Sequence, residues 1–430
     1  MNVRTLQNYF QKNNENTPLA KKTCCVKLHH MSHIYTLTSS LTTVDLENKK
    51  VLLRADLNVP LAHDRIASDF RLKALKPTLD ILVAKKACIL LITHIGQPVD
   101  QDPHVSTKLL IPWFKEHEYT IVHAQTIEEA AKLFAPSQIV LLENIRFWSE
   151  EKAQSPALAH ALRACTAFFV QDAFGTLHRN DTTIAHLPLL YAQEHRTIGL
   201  LVERELAALN AILVKPKKPV FACIGGAKIA TKLPLIHNLL SLAPCVALLP
   251  PLSLAFAHAK NQQTGATPID ATCNSIVRTI LGTARKKNKR LLLPTDYLVS
   301  TNGWAGPYTA VSAKNLASNE FVITIGPETV LQYQQESAQA HTIIFNGPSG
   351  ELAYPATCFA VRDLLASWCN SSAYRLVAGA DSLALLQYFD LQKCVSYCSS
   401  GGGASITYLS GKKLPGLEPF VVKRVPGFIS

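Results

Sequence analysis

The sequence predicts an α/β protein built from two doubly wound parallel-sheet domains. Three observations support this prediction: the length, the alternation of apolar runs with helix-like segments, and the polar residues that follow the runs. At 430 residues the chain exceeds what one hydrophobic core ordinarily holds, so we expect two domains. Continuous rather than alternating apolar runs are typical of strands that are covered on both faces by crossover helices.

Short apolar runs that we interpret as strands recur along the chain. The first half contains Val51–Leu53, Ile89–Ile92, Ile139–Leu142 and Ala167–Val170. The second half contains Val220–Ile224, Val246–Leu249, Leu291–Leu293, Phe321–Ile325, Ile343–Phe345, Leu376–Ala378 and Cys394–Tyr397. Segments between them, such as Pro77–Ala84 and Lys232–Leu240, are predicted to be helices, and repeated strand–helix units favour doubly wound domains.

Polar or glycine-rich residues follow nine of these runs. In the first half they are Arg54-Ala-Asp56-Leu-Asn58-Val-Pro60, Thr93-His94-Ile-Gly96-Gln97-Pro98, Glu143-Asn144-Ile-Arg146 and Asp172-Ala-Phe-Gly-Thr-Leu-His178-Arg179. In the second half they are Gly225-Gly226-Ala-Lys228, Gly326-Pro327, Asn346-Gly347-Pro348, Gly379-Ala-Asp381 and Ser399-Ser400-Gly401-Gly402-Gly403. One such tail indicates only a turn. Ligands of open α/β sheets lie beyond the carboxyl ends of strands, so the series predicts a binding crevice.

The two halves carry different chemistry. Near its strand ends the first half gathers cationic side chains, namely Arg54, Arg71, His94, Arg146 and Arg179. Guanidinium groups bind carboxylates and phosphates through paired hydrogen bonds, although one arginine alone is equally consistent with a surface ion pair. The second half supplies glycine turns that admit phosphates, with Lys228 and Lys232 on one helix face. This contrast predicts an acidic substrate facing a nucleotide, with Asp381 as a Mg²⁺ ligand.

Composition limits the function classes. Hydrophobic residues make up 48% of the chain, and no apolar run approaches the roughly 18 residues of a membrane span. The eleven scattered cysteines predict reduced, buried thiols in the cytosol rather than a metal site or a disulfide framework. The net charge of +12 is consistent with a solvated basic surface or with a polyanionic substrate. An RNA-binding role rests on that charge alone, because no RNA-binding signature accompanies it.

From Val51 to about Glu418 the sequence closely resembles phosphoglycerate kinases. The resemblance rests on the order and spacing of the motifs above, together with Leu142-Glu143-Asn144-Ile-Arg146-Phe147 and Gly401-Gly402-Gly403-Ala-Ser405. It implies reversible phosphoryl transfer between 1,3-bisphosphoglycerate and Mg-ADP, which gives 3-phosphoglycerate and Mg-ATP. It further implies a monomeric, hinge-bending enzyme with Mg²⁺ as cofactor and ADP or ATP as co-substrate, and no nucleic-acid or membrane partner.

The resemblance also assigns roles to residues. The phosphoglycerate ligands are Asp56, Asn58, Arg71, His94, Arg146 and Arg179, and the catalytic pair is Arg71 and Lys228. The nucleotide ligands are Gly225, Gly226, Lys228, Lys232, Asn346, Gly379, Asp381 and Ser382, with Asp381 also at the metal.

Several positions depart from the family pattern. Gln97 replaces an arginine, Glu328 a lysine, Pro250-Pro251 a glycine pair near the adenine, Ala353 a ribose-contacting glutamate, and Ala380 a glycine. These departures favour, as an alternative, a weakly active or repurposed ligand-binding paralogue with an altered nucleotide pocket. A dinucleotide-dependent dehydrogenase would share the fold, but the G-x-G-x-x-G fingerprint that it needs is absent from the sequence.

We therefore expect two Rossmann-like domains joined by a hinge helix that includes Thr197–Leu209. Residues 1–30 are expected to be a disordered or non-native leader ahead of Met31, and the protein is expected to be cytoplasmic. Residues 31–200 are predicted to bind phosphoglycerate and residues 201–405 the nucleotide. Residues 406–430 are predicted to return to the N-terminal domain.

Overall fold

A computed structural model of the chain describes residues 35–37 and 40–424, and the predicted leader lies outside them. Six of the described strands form a first parallel sheet: β1 (Lys50–Ala55), β2 (Cys88–Ile92), β3 (Ile121–Ala124), β4 (Ile139–Leu142), β5 (Phe168–Asp172) and β6 (Arg196–Ile198). They lie in the order β3-β4-β2-β1-β5-β6. Because β1 has β2 on one side and β5 on the other, the sheet winds in both directions from β1.

A second parallel sheet of six strands occupies the second half of the described chain. Its strands are β7 (Val220–Ile224), β8 (Cys245–Leu248), β9 (Arg290–Leu292), β10 (Thr342–Asn346), β11 (Tyr374–Ala378) and β12 (Tyr397–Ser399). They lie in the order β9-β8-β7-β10-β11-β12. Every residue of β7 and β10 is buried, as their continuous apolar sequences predict. The predicted α/β class, with two doubly wound parallel sheets, is confirmed.

Helices follow most of the strands and cover the sheets. They are α1 (Phe70–Ala84), α2 (Ile111–Glu116), α3 (Ile127–Lys132), α4 (Pro156–Cys165), α5 (Leu200–Leu213), α6 (Ile229–Leu242), α7 (Leu252–Ala259), α8 (Asn274–Lys286), α9 (Pro327–Ala338), α10 (Phe359–Ala366), α11 (Ala380–Tyr388) and α12 (Gly403–Leu409). On α8 the buried residues Val277, Ile280 and Ala284 recur every three to four positions, which is the spacing of a helix with one face on the core.

A smaller antiparallel sheet corrects part of the strand assignment. Phe321–Ile325 was predicted to belong to a parallel sheet, but it pairs antiparallel with Asp296–Ser300, which also pairs with Thr309–Ser312. A continuous apolar run shows that a strand is buried and does not reveal the direction of its neighbour. Gly326-Pro327 therefore follows this small sheet and starts α9, outside the series of crevice-forming tails.

Two boundaries also differ from the prediction. Helix α1 begins at Phe70 and carries Pro77 inside it, whereas the segment predicted to be helical was Pro77–Ala84. The last strand of the second parallel sheet is Tyr397–Ser399 rather than Cys394–Tyr397, since Gln392–Cys394 forms a short 3₁₀ turn. Proline and apolar content alone do not fix the end of an element to the residue.

The cysteines differ from the expectation of reduced thiols at one place. Cys369 and Cys394 form a disulfide across 25 positions of sequence, while seven other cysteines of the described chain are free. The fold brings Cys369, three residues beyond the end of α10, beside the turn before β12, with the two Cα atoms 3.9 Å apart. Sequence spacing gave no sign of this proximity. Cys24 and Cys25 lie outside the described residues.

Helix α5 runs between the two sheets, and the end of the described chain lies against the first. One hydrophobic cluster includes Phe169 of β5, Leu209 of α5 and Leu233 of α6. The Phe420 ring lies 6.1 Å from that of Phe169, and Val421–Arg424 pairs antiparallel with Tyr35–Leu37. The proposed boundaries at 200/201 and 405/406 fall within α5 and α12. Within residues 35–37 and 40–424, the structure has no helix long and apolar enough to cross a membrane.

Candidate active site

The carboxyl edge of the first sheet brings together the polar tails of neighbouring strands. Arg54 of β1 is in register with Ile92 of β2, and Ala55 is in register with Asp172 of β5. Residues just beyond these positions therefore meet at one edge. The Leu57 N–H donates to Thr93 Oγ1 at 2.9 Å, which ties the tail of β1 to that of β2.

Arg54 is a fixed cation beneath this edge. Its side chain is 1% exposed, and its Nε donates to Thr183 Oγ1 at 2.8 Å. Glu151 is fully buried, lies 3.8 Å from the Arg54 Nη2, and accepts hydrogen bonds from the N–H and hydroxyl of Thr183. The guanidinium is thus held by protein groups, which supports a structural and electrostatic role for Arg54 rather than direct ligand binding.

Two residues predicted for catalysis and substrate binding are paired with each other. The Arg71 guanidinium donates a hydrogen bond to Asp56 Oδ2. Asp56 is buried, and although burial opposes ionisation, the guanidinium groups of Arg71 and Arg54 hold its pKa below the usual range. A methyl group on Gly175 would overlap the Asp56 carboxylate, so the motif after β5 needs a glycine to admit this pair.

The tail of β2 is shaped by hydrogen bonds from its neighbours. The Gly96 N–H donates to Asn58 Oδ1 at 2.8 Å, and the Gly96 carbonyl accepts from Arg146 Nη1. Asn144 Nδ2 donates to the carbonyl oxygens of Ile95 and Val105, both at 2.8 Å. The structure therefore brings Asn58 and Arg146 to the same loop, although Gln97 beside it is exposed.

Several cationic groups of this edge keep donors unused. Three predicted ligands have buried nitrogens without a hydrogen-bond partner among the described residues, namely His94 Nδ1, Arg146 Nη2 and Arg179 Nε. Burial, together with the charges of Arg179 and Arg54, lowers the pKa of Arg146 to about 10. Burial likewise holds the pKa of His94 well below its usual value, so its imidazole is neutral. Unused donors on like-charged groups are what an anionic ligand satisfies.

The second sheet presents a different edge, made of glycine turns around a buried amide. Asn346 ends β10, in register with Ile224 of β7 and Ala378 of β11. Its Nδ2 donates to the Ala378 carbonyl at 2.7 Å, and its Oδ1 accepts from Lys232 Nζ. Burial lowers the pKa of Lys232 to about 8, which the neighbouring Asp381 opposes. Lys232 is only 7% exposed and lies beneath the glycine turns.

Close backbone contacts explain the glycines. A methyl group on Gly225 would overlap the carbonyl oxygen of Gly347, and Gly226, Gly347 and Gly379 have φ values of +97°, +79° and +101°. The Gly347 N–H donates to the buried Ser382 hydroxyl at 3.0 Å. Three adjacent strands therefore end in a backbone concavity next to the amino termini of α6 and α11, a setting that favours phosphate.

Lys228 and Asp381 are the exposed members of this edge. Lys228 is the residue immediately before α6, and Asp381 lies in the first turn of α11. Residues 35–37 and 40–424 contain no group of three or more histidine, cysteine or acidic side chains able to hold a metal. A single exposed carboxylate beside a phosphate site still fits Mg²⁺, which commonly takes one or two carboxylates and completes its shell with phosphate and water.

Of the positions that depart from the family pattern, Pro250-Pro251 and Ala380 lie at this second edge. Pro250 and Pro251 follow β8, and Pro251 precedes the first residue of α7. Ala353 and Ala380 are exposed. Glu328 lies in the first turn of α9, where its N–H donates to Asp296 Oδ2 at 3.0 Å.

A polar junction connects the two edges, and the sequence did not identify its central residue. Glu205 on α5 is 1% exposed and accepts hydrogen bonds from the Ser399 hydroxyl and from Ser400. The glycine turn that follows lies against the first half, because a methyl group on Gly403 would come within 2.9 Å of His178 Nε2. The sequence offered one signal for Glu205, a glutamate among the apolar residues of a predicted helix. A carboxylate buried in such a helix needs hydrogen-bond partners.

Asp172 was quoted in the motif after β5 but was not given a role. It is fully buried, and its Oδ1 accepts from the N–H groups of Leu201 and Val202 at 2.9 and 3.1 Å. A methyl group on Gly199 would overlap this carboxylate. Asp172 therefore fixes the start of α5 to the end of β5 by capping its free N–H groups.

Comparison with known proteins gives the family. Residues 41–412 match the family model described as phosphoglycerate kinase. The chain belongs to the phosphoglycerate kinase family. It is 33% identical to the phosphoglycerate kinase of Legionella pneumophila strain Corby over 383 residues, 87% of this chain and 95% of the relative. It is 30% identical to that of Koribacter versatilis over 401 residues, 89% of this chain and 99% of the relative.

Solved structures agree with this assignment. The phosphoglycerate kinase of Coxiella burnetii is 30% identical, superposes with a TM-score of 0.78, and is matched over 98% of its length and 89% of this chain. A phosphoglycerate kinase from Pyrococcus horikoshii shares the fold at 24% identity with a TM-score of 0.77, over 88% of this chain and 98% of its own. The predicted family and phosphoglycerate kinase function are confirmed, and nothing in the comparisons favours a repurposed paralogue.

Proposed function

We propose that this phosphoglycerate kinase transfers a phosphoryl group reversibly between 1,3-bisphosphoglycerate and Mg-ADP, with 3-phosphoglycerate and Mg-ATP as products. The carboxylate of 3-phosphoglycerate is the acceptor in the reverse direction. The observation that supports this best is the pairing of two unlike edges: an arginine and histidine cluster with unused donors, and a glycine-lined concavity above Lys232. The first suits a small polyanion and the second a nucleotide phosphate chain.

Different residues of the first edge are suited to bind different groups of phosphoglycerate. His94, Arg146 and Arg179 supply the unused donors for the phosphate and carboxylate oxygens. Asp56 and Asn58 are acceptors suited to the substrate hydroxyl. Gln97 donates hydrogen bonds without charge, so it contributes less to anion affinity than an arginine would.

Transfer itself needs charge stabilisation more than covalent chemistry. Arg71, which is partly exposed, and Lys228, which is exposed, are cationic side chains of opposite halves, suited to flank the transferring group when the halves close. In the structure without ligands Arg71 donates to Asp56, so the substrate hydroxyl must compete for this carboxylate and can free the guanidinium. Closure about α5 would bring both cations to the reacting oxygens and exclude water.

The nucleotide phosphates are proposed to lie over Gly225, Gly226, Gly379 and Ser382, where backbone N–H groups and helix termini favour negative charge. Lys232 and Asn346 support them from beneath. Asp381 would hold Mg²⁺ together with phosphate oxygens, and the ion neutralises charge on the polyphosphate when bound. We further propose a monomer that acts in the cytoplasm.

An enzyme-coupled assay tests this proposal. The protein is incubated with 3-phosphoglycerate, ATP and Mg²⁺, and 1,3-bisphosphoglycerate is detected by its NADH-dependent reduction. We expect saturable turnover that requires all three components. If calorimetry detected binding of 3-phosphoglycerate or ATP while turnover stayed at background, the repurposed paralogue would replace this proposal.

A further inference from the structure

Asp181 is an acidic residue placed among the cations of the first edge. It follows Arg179 by two positions and precedes the helical turn Thr182–His186. Its side chain forms no capping hydrogen bond, and its Oδ2 is buried without a hydrogen-bond partner in the described chain. Because a buried carboxylate oxygen without a donor costs free energy, stabilising the turn does not account for this residue.

The charge of Asp181 reaches the predicted phosphoglycerate ligands. Burial lowers the pKa of Arg146, and the Asp181 carboxylate acts in the opposite direction. Asp181 likewise raises the pKa values of Arg54 and His178 against the effect of burial. The geometry agrees with this placement. Asp181 lies two residues after Arg179, whose Nε is also buried without a hydrogen-bond partner in the described chain, and two residues before Thr183, whose hydroxyl accepts from Arg54 Nε at 2.8 Å.

The charge balance of the edge is close to neutral for a site that takes a polyanion. Arg54, Arg71, Arg146 and Arg179 are positive, and Asp56, Glu151 and Asp181 formally offset three of these charges. Asp56 is engaged by Arg71, and Glu151 is engaged by Thr183. Asp181 alone of the three has a buried oxygen that accepts no hydrogen bond from the described residues.

We infer that Asp181 sets the affinity of this site for phosphoglycerate by opposing the positive potential of the arginine cluster. A multiply charged substrate that binds His94, Arg146 and Arg179 is repelled by this partly buried carboxylate, where water and salt screen the interaction weakly. The residue acts through charge and not through contact. This inference rests on the proposed function, since it concerns the same substrate site.

The test compares Asp181→Asn with the unaltered protein by calorimetric titration with 3-phosphoglycerate. The amide keeps the size of the side chain and removes its charge. We expect the Kd for 3-phosphoglycerate to fall about tenfold, which corresponds to about 1.4 kcal/mol. The Kd for ATP, which is proposed to bind the other edge, should stay within about twofold.

A second ligand separates charge from packing. Glycerol 3-phosphate carries one negative charge fewer than 3-phosphoglycerate, so its inhibition constant should improve less in Asp181→Asn. A matched control is Asp363→Asn, which removes one exposed charge from α10 in the other half and should leave both constants unchanged. Thermal unfolding curves show whether Asp181→Asn is folded. Asp181→Ala also lacks the charge and serves as a second variant if Asp181→Asn does not fold.

The outcomes are distinguishable. If the unaltered protein binds and phosphorylates 3-phosphoglycerate, and Asp181→Asn binds it equally or more weakly, the inference is wrong and the proposed function stands. An equal gain for both ligands would also overturn it, because that result indicates repacking and not charge. If neither protein binds 3-phosphoglycerate, the proposed function fails together with the inference.

Discussion

The carboxylate of Glu205 accepts hydrogen bonds from the backbone N–H and the hydroxyl of Ser400, at 2.7 and 2.8 Å. Glu205 belongs to α5, the helix that follows the first sheet, and Ser400 follows the last strand of the second. The glycine turn after Ser400 lies against Phe174 and His178 of the first half. The hydrogen bonds therefore tie the end of the last strand to the expected hinge helix, and the glycine turn beside them contacts the proposed substrate half.

We expect Glu205→Ala to destabilise the protein and to slow turnover. Removal of the carboxylate takes away the acceptor of the partly buried Ser400 N–H and hydroxyl, and leaves the buried Ser399 hydroxyl with Ser405 as its remaining partner. We expect a cost of about 2–4 kcal/mol in the free energy of unfolding. Denaturant titration measures this loss, and the coupled assay measures turnover. Glu203→Ala, on the same helix but only half-buried, is the matched control. Equal effects of the two variants on stability and turnover would show that Glu205 has no special role.

Arg71→Ala and Lys228→Ala should each lower turnover by about two to three orders of magnitude, since a charge-stabilising donor contributes about 3–4 kcal/mol. The fold should survive, because Arg71 is 25% exposed and Lys228 is exposed. Lys73→Ala on α1 and Lys260→Ala after α7 are the controls, and both should retain normal kcat. Near-normal kcat in either test variant would exclude that residue from the transfer step.

Nucleotide affinity should weaken as the pH rises through about 8. Burial lowers the pKa of Lys232 to about 8. Its ammonium group is therefore charged and attracts phosphate below that pH, and it becomes neutral above it. Calorimetric titration with ADP between pH 6.5 and 9.5 measures this dependence. Lys232→Met should bind ADP more weakly at low pH, with a flatter profile. The same pH profile in Lys232→Met would assign the dependence to another group.

Asp172 should make stability depend on pH. Burial raises the pKa of its carboxyl to about 6 in the folded protein, so the folded chain holds the proton more tightly than the unfolded chain. The protonated carboxyl therefore contributes about 3 kcal/mol to the free energy of unfolding. This contribution is fully present below about pH 4 and is lost as the pH rises through about 6. Asp172→Asn should lose this part of the pH dependence, whereas the exposed control Asp100→Asn should keep it. Denaturant titrations from pH 4 to 7 give the comparison.

The sequence predicted the fold class, and it predicted that several candidate site residues would lie together, because parallel strands end at one edge and order along the chain then implies proximity in space. Asp56, His94 and Arg146 follow buried strands, and their meeting could be expected. The direction of the Phe321–Ile325 pairing could not be predicted, because an apolar run reports burial alone.

Hydrogen bonds between residues far apart in the sequence could not be predicted either. The hydrogen bond from Arg71 to Asp56 depends on the clearance that Gly175 leaves between them. The capping of α5 by Asp172 and the contact of Glu205 with Ser400 depend on where α5 packs. Both acids are buried charges in apolar surroundings, and their partners become visible only in the folded chain.

Phosphate transfer from γ-labelled ATP tests the central claim most directly. The protein, Mg²⁺, 3-phosphoglycerate and labelled ATP are mixed, and the products are separated before and after treatment with hydroxylamine, which cleaves acyl phosphates. We expect the label in a hydroxylamine-sensitive product that forms only when 3-phosphoglycerate and Mg²⁺ are both present, and that is nearly absent with Arg71→Ala. Label that remains in ATP, or that appears only as inorganic phosphate regardless of 3-phosphoglycerate, would contradict the account.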